Sequence, residues 1–461
     1  MSLSDLTSLQ QTLNEAIDVY KAELAAQSIP EPSLNSSKPH LTDDIAYLPT
    51  PAMYEAQRTA VASLGLIKLL IRSPQDTLFA TNCATLEVAS IRLAAEIGLA
   101  DVLGESEEGL SIREIENKTG VAGMKIERVL RLLITQGWFR ETQPGYFANN
   151  RISNLVRKNQ PGYYLSTYMN ELVGKISASL PEMLTHPDPE WRMGDSSLQT
   201  AFQLSHNTDV SFFGAGGWLT KNHDAATSFA LAMGAVGPTS DPGVVADFPW
   251  AEIAKGKDGI VDVGGGQGTL CCSLAEKYPE IQSFIVQDLP ETRLAAEGFI
   301  ESKGLSGKVK FEAQDFFKPQ QRRGKYVFVM QRVLHDWSTE KGAIMLRHIK
   351  DVLNEDSSLL VIDTVIQDGV FSATSGSSLL ESISAQDTSL YKPVSPPRLI
   401  PSDFGEASKM QHQTNVCLTA LCNSFERTYP QLKEMVELSG MKIRKVNATR
   451  GWASITEVVA A

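Results

Sequence analysis

The chain has 461 residues, of which 42% are hydrophobic and 21% are charged, which is typical of a folded protein and excludes a largely disordered one. This length predicts two or three domains rather than one core. The formal net charge of −12 opposes binding to nucleic acid or to an anionic membrane surface. The sequence shows neither a stretch of ~18 apolar residues nor a signal peptide, so we expect a cytoplasmic protein without a membrane span.

The metal-ligating residues predict no metal site. Five cysteines are too few for a disulfide framework. No two of them have the CxxC spacing of a structural zinc site, and no other cluster of ligand residues appears in the sequence.

The predicted elements divide the chain into four segments. The first holds an amphipathic helix over residues 1–29, whose apolar stripe must pack against this chain or a second copy of it. A linker rich in Pro and Ser and a second helix from about Met53 to Ile71 follow. The predicted boundaries are 1–75 for these N-terminal helices, 76–160 for a compact unit, 161–250 for a mostly helical connector and 251–461 for a catalytic domain.

Residues 86–159 show the pattern of a winged helix, with three helices followed by two short strands around a Pro-Gly turn. Ser111 is the expected N-cap of the second helix, which ends at Gly120. Winged helices often bind DNA, but this stretch holds ten Lys and Arg against ten Asp and Glu. Because a DNA-reading domain usually has a basic face, dimerisation or substrate capping is the favoured interpretation.

The catalytic domain alternates strands and helices. The predicted strands are 259–263, 283–287, 308–313, 326–331, 358–364, 441–446 and 452–456. Helical segments separate the first five, which predicts a doubly wound, mainly parallel sheet of the α/β class. The last two predict an antiparallel hairpin at one edge, and residues 367–408 read as a long loop, either functional or disordered.

A glycine-rich turn follows the first predicted strand, where an open parallel sheet binds its ligands. The backbone of Gly264, Gly265 and Gly266 allows close approach of a ligand. The turn lacks the third glycine of the dinucleotide fingerprint, and the chain has no GxxxxGK[ST] motif. S-adenosylmethionine fits such a turn because its amino-acid end needs no phosphate cradle; a turn that serves packing alone is the alternative.

Two acids follow the next two predicted strands. Asp288 lies 22 residues after Gly266, where its carboxylate can accept hydrogen bonds from both ribose hydroxyls, and Leu289 comes next. Asp315 can accept from an adenine amino group while Phe316 or Phe317 lies against the base. Features at the ends of three consecutive strands together predict an adenosyl ligand.

Five ordered motifs complete the pattern: VDVGGGQG, QDLP, QDFF, VLHDW and FERT. Together they resemble the S-adenosylmethionine-dependent small-molecule O-methyltransferases of the plant caffeate type and their relatives in fungal secondary metabolism. The resemblance runs from about Leu86 to the C-terminus. It implies a class I methyltransferase fold with a Rossmann-like sheet of seven strands, an N-terminal winged-helix dimerisation domain, S-adenosylmethionine as cofactor and a homodimer.

Methylation of a hydroxyl requires removal of its proton, and His335 after the fourth strand is the natural base. The alternative is a surface histidine without a role. In the resembled family, acids at the positions of Asp363 and Glu426 orient the histidine, so we expect these three residues to be catalytic.

The resemblance also implies further contacts to the cofactor and substrate. It places Gln331 in the cofactor site, Trp337 near the adenine, and Phe229 and Met233 over the cofactor within the connector. An ordinary core residue is the alternative for Trp337, and also for Phe229 and Met233, because apolar residues at helical spacing are typical of a core. Residues predicted for the substrate pocket by neighbourhood alone are Met169, Asn170, Phe212, Phe213, Trp218, Met330 and Cys417.

Three positions depart from the family pattern. Gln331 replaces a Lys or Arg, Gly237 replaces a hydroxyl residue and Asn415 replaces an acid. Each change weakens polar contacts to cofactor or substrate but leaves the expected base in place.

Three hypotheses follow. The favoured one is an O-methyltransferase acting on a phenol or enol of an aromatic or polyketide-like small molecule. The second is a pericyclase or related enzyme that binds the cofactor without transferring its methyl group, and the third is a non-catalytic protein that uses the winged helix.

Overall fold

The computed structural model describes residues 4–371, 378–384 and 390–461, and the chain forms two compact units. One unit comprises Met1–Lys175 with Asn222–Pro238, and the other comprises Ile176–Lys221 with Thr239–Ala461. Residues 161–250, predicted to form one connector, are therefore shared between the two units. Parts of the predicted loop at 367–408 lie outside the described residues.

The α-helices are numbered in chain order over the described residues. They are α1 (Asp5–Ala26), α2 (Pro51–Ile71), α3 (Pro74–Glu96), α4 (Leu99–Leu103), α5 (Ile112–Thr119), α6 (Gly123–Ile134), α7 (Pro161–Tyr164), α8 (Asn170–Leu184), α9 (Pro189–Met193), α10 (Ala201–His206), α11 (Trp218–Lys221), α12 (His223–Val236), α13 (Asp241–Ala246), α14 (Trp250–Ile253), α15 (Thr269–Lys277), α16 (Arg293–Ser302), α17 (Thr339–Lys350), α18 (Leu379–Ser384), α19 (Lys409–Cys422) and α20 (Tyr429–Leu438).

The β-strands are numbered in the same way. They are β1 (Leu110–Ser111), β2 (Arg140–Gln143), β3 (Tyr146–Ala148), β4 (Gly259–Val263), β5 (Phe284–Asp288), β6 (Val309–Ala313), β7 (Tyr326–Gln331), β8 (Ser358–Asp363), β9 (Val365–Ile366), β10 (Arg427–Thr428), β11 (Met441–Ala448) and β12 (Ser454–Ala460).

Two N-terminal helices, α1 and α2, pack against each other in the first unit. The buried face of α1 is formed by Leu9, Ala16, Val19 and Leu24. The stripe expected from the sequence is only partly buried, since the side chains of Leu6 and Ile17 remain 44% and 42% exposed.

The winged-helix pattern predicted from the sequence is present in the first unit. Ser111 caps α5 through a reciprocal capping box with Glu114, and Gly120 ends that helix in the left-handed conformation, with a φ of 70°. The wing is a small sheet of order β1-β3-β2. The core of the winged helix is a buried cluster that joins α3, α4, α5 and α6 and includes Leu99, Ile126 and Phe147.

The second unit contains the predicted seven-stranded sheet, of order β11-β12-β8-β7-β4-β5-β6. The five neighbouring strands β8, β7, β4, β5 and β6 run parallel to one another. Strand β12 pairs antiparallel with β8 and with the edge strand β11. Apolar residues cover both faces of the sheet, as expected for parallel strands. The carboxyl ends of β4, β5, β6, β7 and β8 therefore meet at one edge.

Residues after β8 add a short parallel pair, β9 with β10. In the predicted loop, Phe371 bridges Pro401, and α18 lies within the described residues. Over the part of the chain that the structure describes, no helix combines the length and apolarity needed to cross a membrane. Within the same residues, no group of three or more His, Cys, Asp or Glu side chains is placed to hold a metal ion.

Candidate active site

The glycine turn joins β4 to α15 at the carboxyl edge of the sheet. The N–H groups of Gly264 and Gly265 both donate to the carbonyl oxygen of Gln287, at 2.7 and 3.1 Å, which fixes the turn against β5. Gly264 has a φ of 76°, and a Cβ atom there would lie 2.8 Å from the side chain of Val333. Only glycine therefore fits this conformation and this spacing.

Asp288, predicted to bind the ribose, ends β5 and is fixed by its neighbours. Its carboxylate accepts from the N–H of Gly266 at 2.8 Å, from the N–H of Leu289 at 2.7 Å and from the hydroxyl of Thr292 at 3.1 Å. Burial raises the pKa of Asp288, against the lowering effect of the N–H groups of Leu289 and Gly266. The turn and the predicted ribose acid thus form one hydrogen-bonded unit.

Asp262, which the sequence reasoning did not select, lies beneath the glycine turn. Its side chain is 2% exposed, and its Oδ1 atom has no hydrogen-bond partner among the described residues. Burial, reinforced by the charge of Asp288, raises the pKa of Asp262 to about 7. A buried carboxylate without a partner is costly unless a ligand satisfies it. The available signal was an acid within an otherwise apolar strand.

Four predicted cofactor residues line one cavity of about 250 Å³: Leu289, Asp315, Phe316 and Trp337. The other lining residues, which include the predicted substrate residue Phe213, are Ser197, Ser211, Phe213, Gly214, Ala215, Phe317 and Lys341. Sequence reasoning did not select Ser197, Ser211, Gly214, Ala215 or Lys341. For Ser211, Gly214 and Ala215 the available signal was the glycine-rich stretch SFFGAGG at 211–217.

Aromatic rings form one wall of this cavity. The ring centroid of Trp337 lies 6.0 Å from that of Phe316 and 4.7 Å from that of Phe317, both edge to face. The ammonium group of Lys341 lies 5.4 Å from the Trp337 ring centroid. The carboxylate of Asp315 accepts from the N–H of Phe317 at 2.8 Å, which orients this acid. The wall combines flat apolar surfaces with one acceptor, as a purine base requires.

His335 lies on the 3₁₀ turn Leu334–Asp336, which follows β7. Its Nδ1 atom lies 2.9 Å from Oε1 of Glu426, and its Nε2 atom lies 3.7 Å from Oδ1 of Asp336. The N–H of Glu426 donates to the side-chain oxygen of Asn415 at 2.9 Å. Asn415, one of the three departures from the family pattern, therefore holds the backbone of Glu426.

Asp363, the other acid predicted to orient His335, ends β8 beside β7. Its carboxyl group affects the imidazole through its charge, whereas the hydrogen bond to Nδ1 goes to Glu426. Nδ1 can make one such hydrogen bond, and its partner is Glu426. Oδ1 of Asp363 and Oε2 of Glu426 are buried without partners among the described residues.

The three acids around His335 control its charge. Burial lowers the pKa of His335, but the carboxylates of Asp336, Glu426 and Asp363 outweigh it and raise the value to about 10. Burial raises the pKa of Asp336 to about 6 and also raises that of Asp363. These neighbouring carboxylates therefore favour the protonated form of the imidazole.

Gln331, a predicted cofactor residue, ends β7 and is held by an acid that the sequence reasoning did not select. Its amide donates to Oδ1 of Asp241 at 2.9 Å, and the guanidinium of Arg332 lies 3.3 Å from Oδ2 of the same carboxylate. Asp241 precedes Gln331 by ninety positions, so no local signal connects the two.

Two further predicted cofactor residues, Phe229 and Met233, lie on α12 in the first unit. In that unit α12 packs against the π-helical turn Leu165–Met169, which contains the predicted pocket residue Met169. The amide of Asn170, the next residue, donates to the carbonyl oxygen of Val88 at 2.9 Å. These four predicted residues thus belong to one unit.

The remaining pocket predictions lie in the second unit. Phe212 and Met330 are fully buried, which makes them core residues. Trp218 packs edge to face on Phe202 at 5.6 Å between ring centroids. Burial raises the pKa of Cys417, close to Asp336, to about 11. Of these residues and Phe213, only Phe213 lines the cavity described above.

Family models match two parts of the chain. An O-methyltransferase domain matches residues 249–384, and an O-methyltransferase dimerisation domain matches residues 84–159. The first match includes the glycine turn, Asp288, His335 and Asp363. The second covers the winged helix.

Curated relatives match along nearly the whole chain. The O-methyltransferase tpcA of Aspergillus fumigatus is 27% identical, over 99% of this chain and 97% of that protein. The 4-O-methyltransferase 1 of Phanerochaete chrysosporium is 25% identical, over 97% and 96%.

Solved structures share the fold at lower identity. A pericyclic reaction enzyme superposes with a TM-score of 0.68 and 20% identity, over 88% of this chain and 94% of the other. The O-methyltransferase NcsB1, in complex with S-adenosylmethionine and 2-hydroxy-5-methyl naphthoic acid, has a TM-score of 0.58 and 21% identity, over 82% and 96%.

Proposed function

We propose that this chain is one of the S-adenosylmethionine-dependent small-molecule O-methyltransferases. In this proposal it methylates a phenolic or enolic hydroxyl of a small aromatic or polyketide-like metabolite, with His335 as general base. The observation that carries the proposal is the hydrogen bond of 2.9 Å between Nδ1 of His335 and Glu426. This bond leaves Nε2 as the ring nitrogen that receives a proton.

The residues at the carboxyl edge of the sheet fit the cofactor. The unpartnered Oδ1 of Asp262 suits a cationic amino group, the glycine turn admits a close ligand backbone, and Asp288 faces the same turn. The cavity lined by Asp315, Phe316 and Trp337 suits the adenine. When bound, S-adenosylmethionine supplies a methyl group on a cationic sulfur, and the C–S bond breaks as the hydroxyl oxygen bonds the methyl carbon.

His335 must lose its proton before it can act as a base. A positive charge near the imidazole disfavours its protonated form, so a bound cationic ligand promotes the neutral ring. The neutral Nε2 then takes the hydroxyl proton, and the carboxylate of Glu426 stabilises the resulting imidazolium. When ionised, Asp363 and Asp336 also stabilise the imidazolium through their negative charge.

The proposed substrate class rests on the relatives. NcsB1 binds a hydroxynaphthoic acid, and the curated relatives are named as O-methyltransferases. The roles predicted for Phe229, Met233, Met169 and Asn170 of the first unit stay predictions. Phe213 extends the aromatic wall of the adenosyl cavity.

A homodimer is part of the proposal. The match to a dimerisation domain supports it, as do apolar side chains that α2 and α3 leave exposed. Leu70, Ile71, Leu78 and Phe79 are each more than half exposed. Exposed apolar patches of this kind mark protein–protein contacts.

A second candidate function is catalysis without methyl transfer, as in a pericyclic reaction. The specific observation in its favour is the position of Asp336 and Glu426 against the two ring nitrogens of His335, at 3.7 and 2.9 Å. Their charges favour a protonated imidazole, which donates a hydrogen bond to a substrate oxygen. Such an enzyme would consume no cofactor during turnover.

One experiment separates the two functions and tests the base. The protein is incubated with S-adenosylmethionine and a panel of phenolic and enolic acceptors, and S-adenosylhomocysteine and methylated product are quantified by mass spectrometry. We expect both to form, and turnover to fall at least ~100-fold in His335→Ala while cofactor binding persists.

The matched control is His412→Ala. Nε2 of His412 also lies 2.9 Å from a carboxylate oxygen, Oδ2 of Asp403, but this pair is not among the acids around His335. Its turnover should equal that of the unmodified protein. Equal turnover in His335→Ala would reject the base, and substrate conversion without S-adenosylhomocysteine would favour the second candidate.

A further inference from the structure

Arg427, next to Glu426, is almost fully buried, with only 4% of its surface exposed. It lies on β10, where it pairs in register with Val365 of β9, two residues after Asp363. Burial lowers the pKa of its guanidinium to about 10, against the raising effect of the carboxylates of Asp363 and Glu426. A buried cation is costly unless neighbouring charges and hydrogen bonds compensate its loss of hydration.

The guanidinium spans the turn that carries His335. Nη1 donates to the carbonyl oxygen of Leu334 at 2.8 Å, and Nη2 donates to that of Trp337 at 2.6 Å. The hydroxyl of Ser424 donates to the same Trp337 oxygen at 2.8 Å. His335 lies between the two bridged residues, so the planar fork fixes the backbone on both sides of the imidazole.

The charges around the turn give Arg427 a second role. Asp336, Asp363 and Glu426 are three buried or nearly buried acids, and Arg427 is the second cation beside His335. The charge of Glu340 also raises the pKa of Arg427. Cys417 lies close to Asp336. Loss of the Arg427 charge would leave Asp363 and Glu426 less compensated, and the imidazole would then hold its proton more tightly.

We propose that Arg427 is a positioning residue for His335: its guanidinium fixes both ends of the turn that carries the imidazole, and its charge offsets the neighbouring carboxylates so that the ring can release and accept a proton. This inference rests on the proposed function of His335 as a base. The two roles are separable, because lysine keeps the charge but cannot donate to both carbonyl oxygens in one plane.

The test uses Arg427→Gln and Arg427→Lys in the full chain. Nuclear magnetic resonance follows the titration of the His335 ring, and kcat and the KM for S-adenosylmethionine are measured against pH. In Arg427→Gln we expect the pKa of His335 to rise by about one pH unit and kcat at pH 7 to fall at least ~10-fold, with KM changed less than ~2-fold.

In Arg427→Lys we expect an unchanged His335 titration and a reduced kcat, because only the fork is lost. The control is Arg444→Gln, which removes an exposed arginine paired with Glu457 and should change neither quantity.

An unchanged titration in Arg427→Gln would overturn the role of the charge. If Arg427→Gln does not fold, Arg427→Lys decides, and an unchanged kcat there would overturn the role of the fork. The titration is read without turnover, so failure of His335 as the base, seen as an active His335→Ala, is distinguishable from failure of this inference.

Discussion

Oε1 of Glu426 lies 2.9 Å from Nδ1 of His335, although 91 residues separate the two in the chain. The contact forms because the turn after β7 and the segment before β10 meet beside the end of β8. Glu426 is anchored by its own N–H, which donates to Asn415 at 2.9 Å. The carboxylate is therefore held by its backbone and positions the imidazole.

Replacement of Glu426 with Gln tests this relationship at nearly constant volume. The variant loses one of the charges that raise the pKa of His335, so the pH midpoint of kcat should move downward. At its own optimum, kcat should still fall by at least ~100-fold, because the amide cannot stabilise the imidazolium formed during proton transfer. Rate profiles against pH at saturating substrates measure both effects.

Glu457→Gln is the control, since Glu457 pairs with Arg444 on the outer strands. A Glu426→Gln enzyme with an upward or unchanged pH midpoint would contradict the electrostatic part of the argument. Unchanged kcat would contradict the orienting role.

Asp262 predicts a pH dependence of cofactor affinity. Burial raises the pKa of Asp262 to about 7, so its carboxyl group ionises within the neutral pH range. A cationic amino group binds the ionised form, and affinity for S-adenosylmethionine should therefore rise as pH increases from 6 to 8. Titration calorimetry at several pH values should show this rise, and Asp262→Asn should bind more weakly with a flatter profile.

The control ligand for Asp262 is 5′-methylthioadenosine, which keeps the adenosine but lacks the amino acid. Its affinity should not follow the ionisation of Asp262 in either protein. An equal pH dependence for both ligands would assign the effect to another group.

The raised pKa of Asp262 also makes the stability of the folded protein depend on pH. A carboxyl group whose pKa is higher in the folded state than in the unfolded one binds its proton more tightly when folded. The contribution of Asp262 to the free energy of unfolding therefore declines as pH rises from about 4 to about 7. In Asp262→Asn the free energy of unfolding should decline less over this range.

Gly268 and Gly298 form a matched pair for stability. Gly268 has a φ of 84°, and an added Cβ would lie 2.8 Å from the side chain of Val286, so Gly268→Ala should lower the free energy of unfolding by about 1–3 kcal/mol. Gly298 lies within α16 with open space around it, and Gly298→Ala should raise that free energy by about 0.5–1 kcal/mol. Urea denaturation measures both, and equal effects would contradict the steric argument.

The sheet could be predicted from the sequence because most of its parallel strands hold a run of apolar residues, such as 327–330 in β7 and 359–362 in β8. β4 and β7 begin and end at the predicted residues, and the other strands differ by a few residues at their ends. The winged helix carried equally local signals, such as the capping box at Ser111. These features depend on neighbours in the chain, which the sequence shows directly.

The site could be predicted only in part because its remaining features depend on distant contacts. The sequence placed Asp363 and Glu426 near His335, but the choice of Nδ1 partner depends on side-chain directions. The roles of Asp241 and Arg427 depend on contacts across about ninety positions. The unpartnered oxygen of Asp262 is visible only when every neighbour is in place.

The proposed homodimer makes a prediction for the exposed apolar face of α2 and α3. Phe79 is 73% exposed on α3, shortly before the region matched by the dimerisation model. A glutamate there would bury a charge in the interface, so Phe79→Glu should be monomeric by analytical ultracentrifugation, whereas the unmodified protein should have twice the mass of one chain. Leu294→Glu is the control, because Leu294 is 85% exposed on α16 of the other unit and should leave the dimer intact. A monomeric unmodified protein, or dissociation in Leu294→Glu alone, would reject this face as the interface.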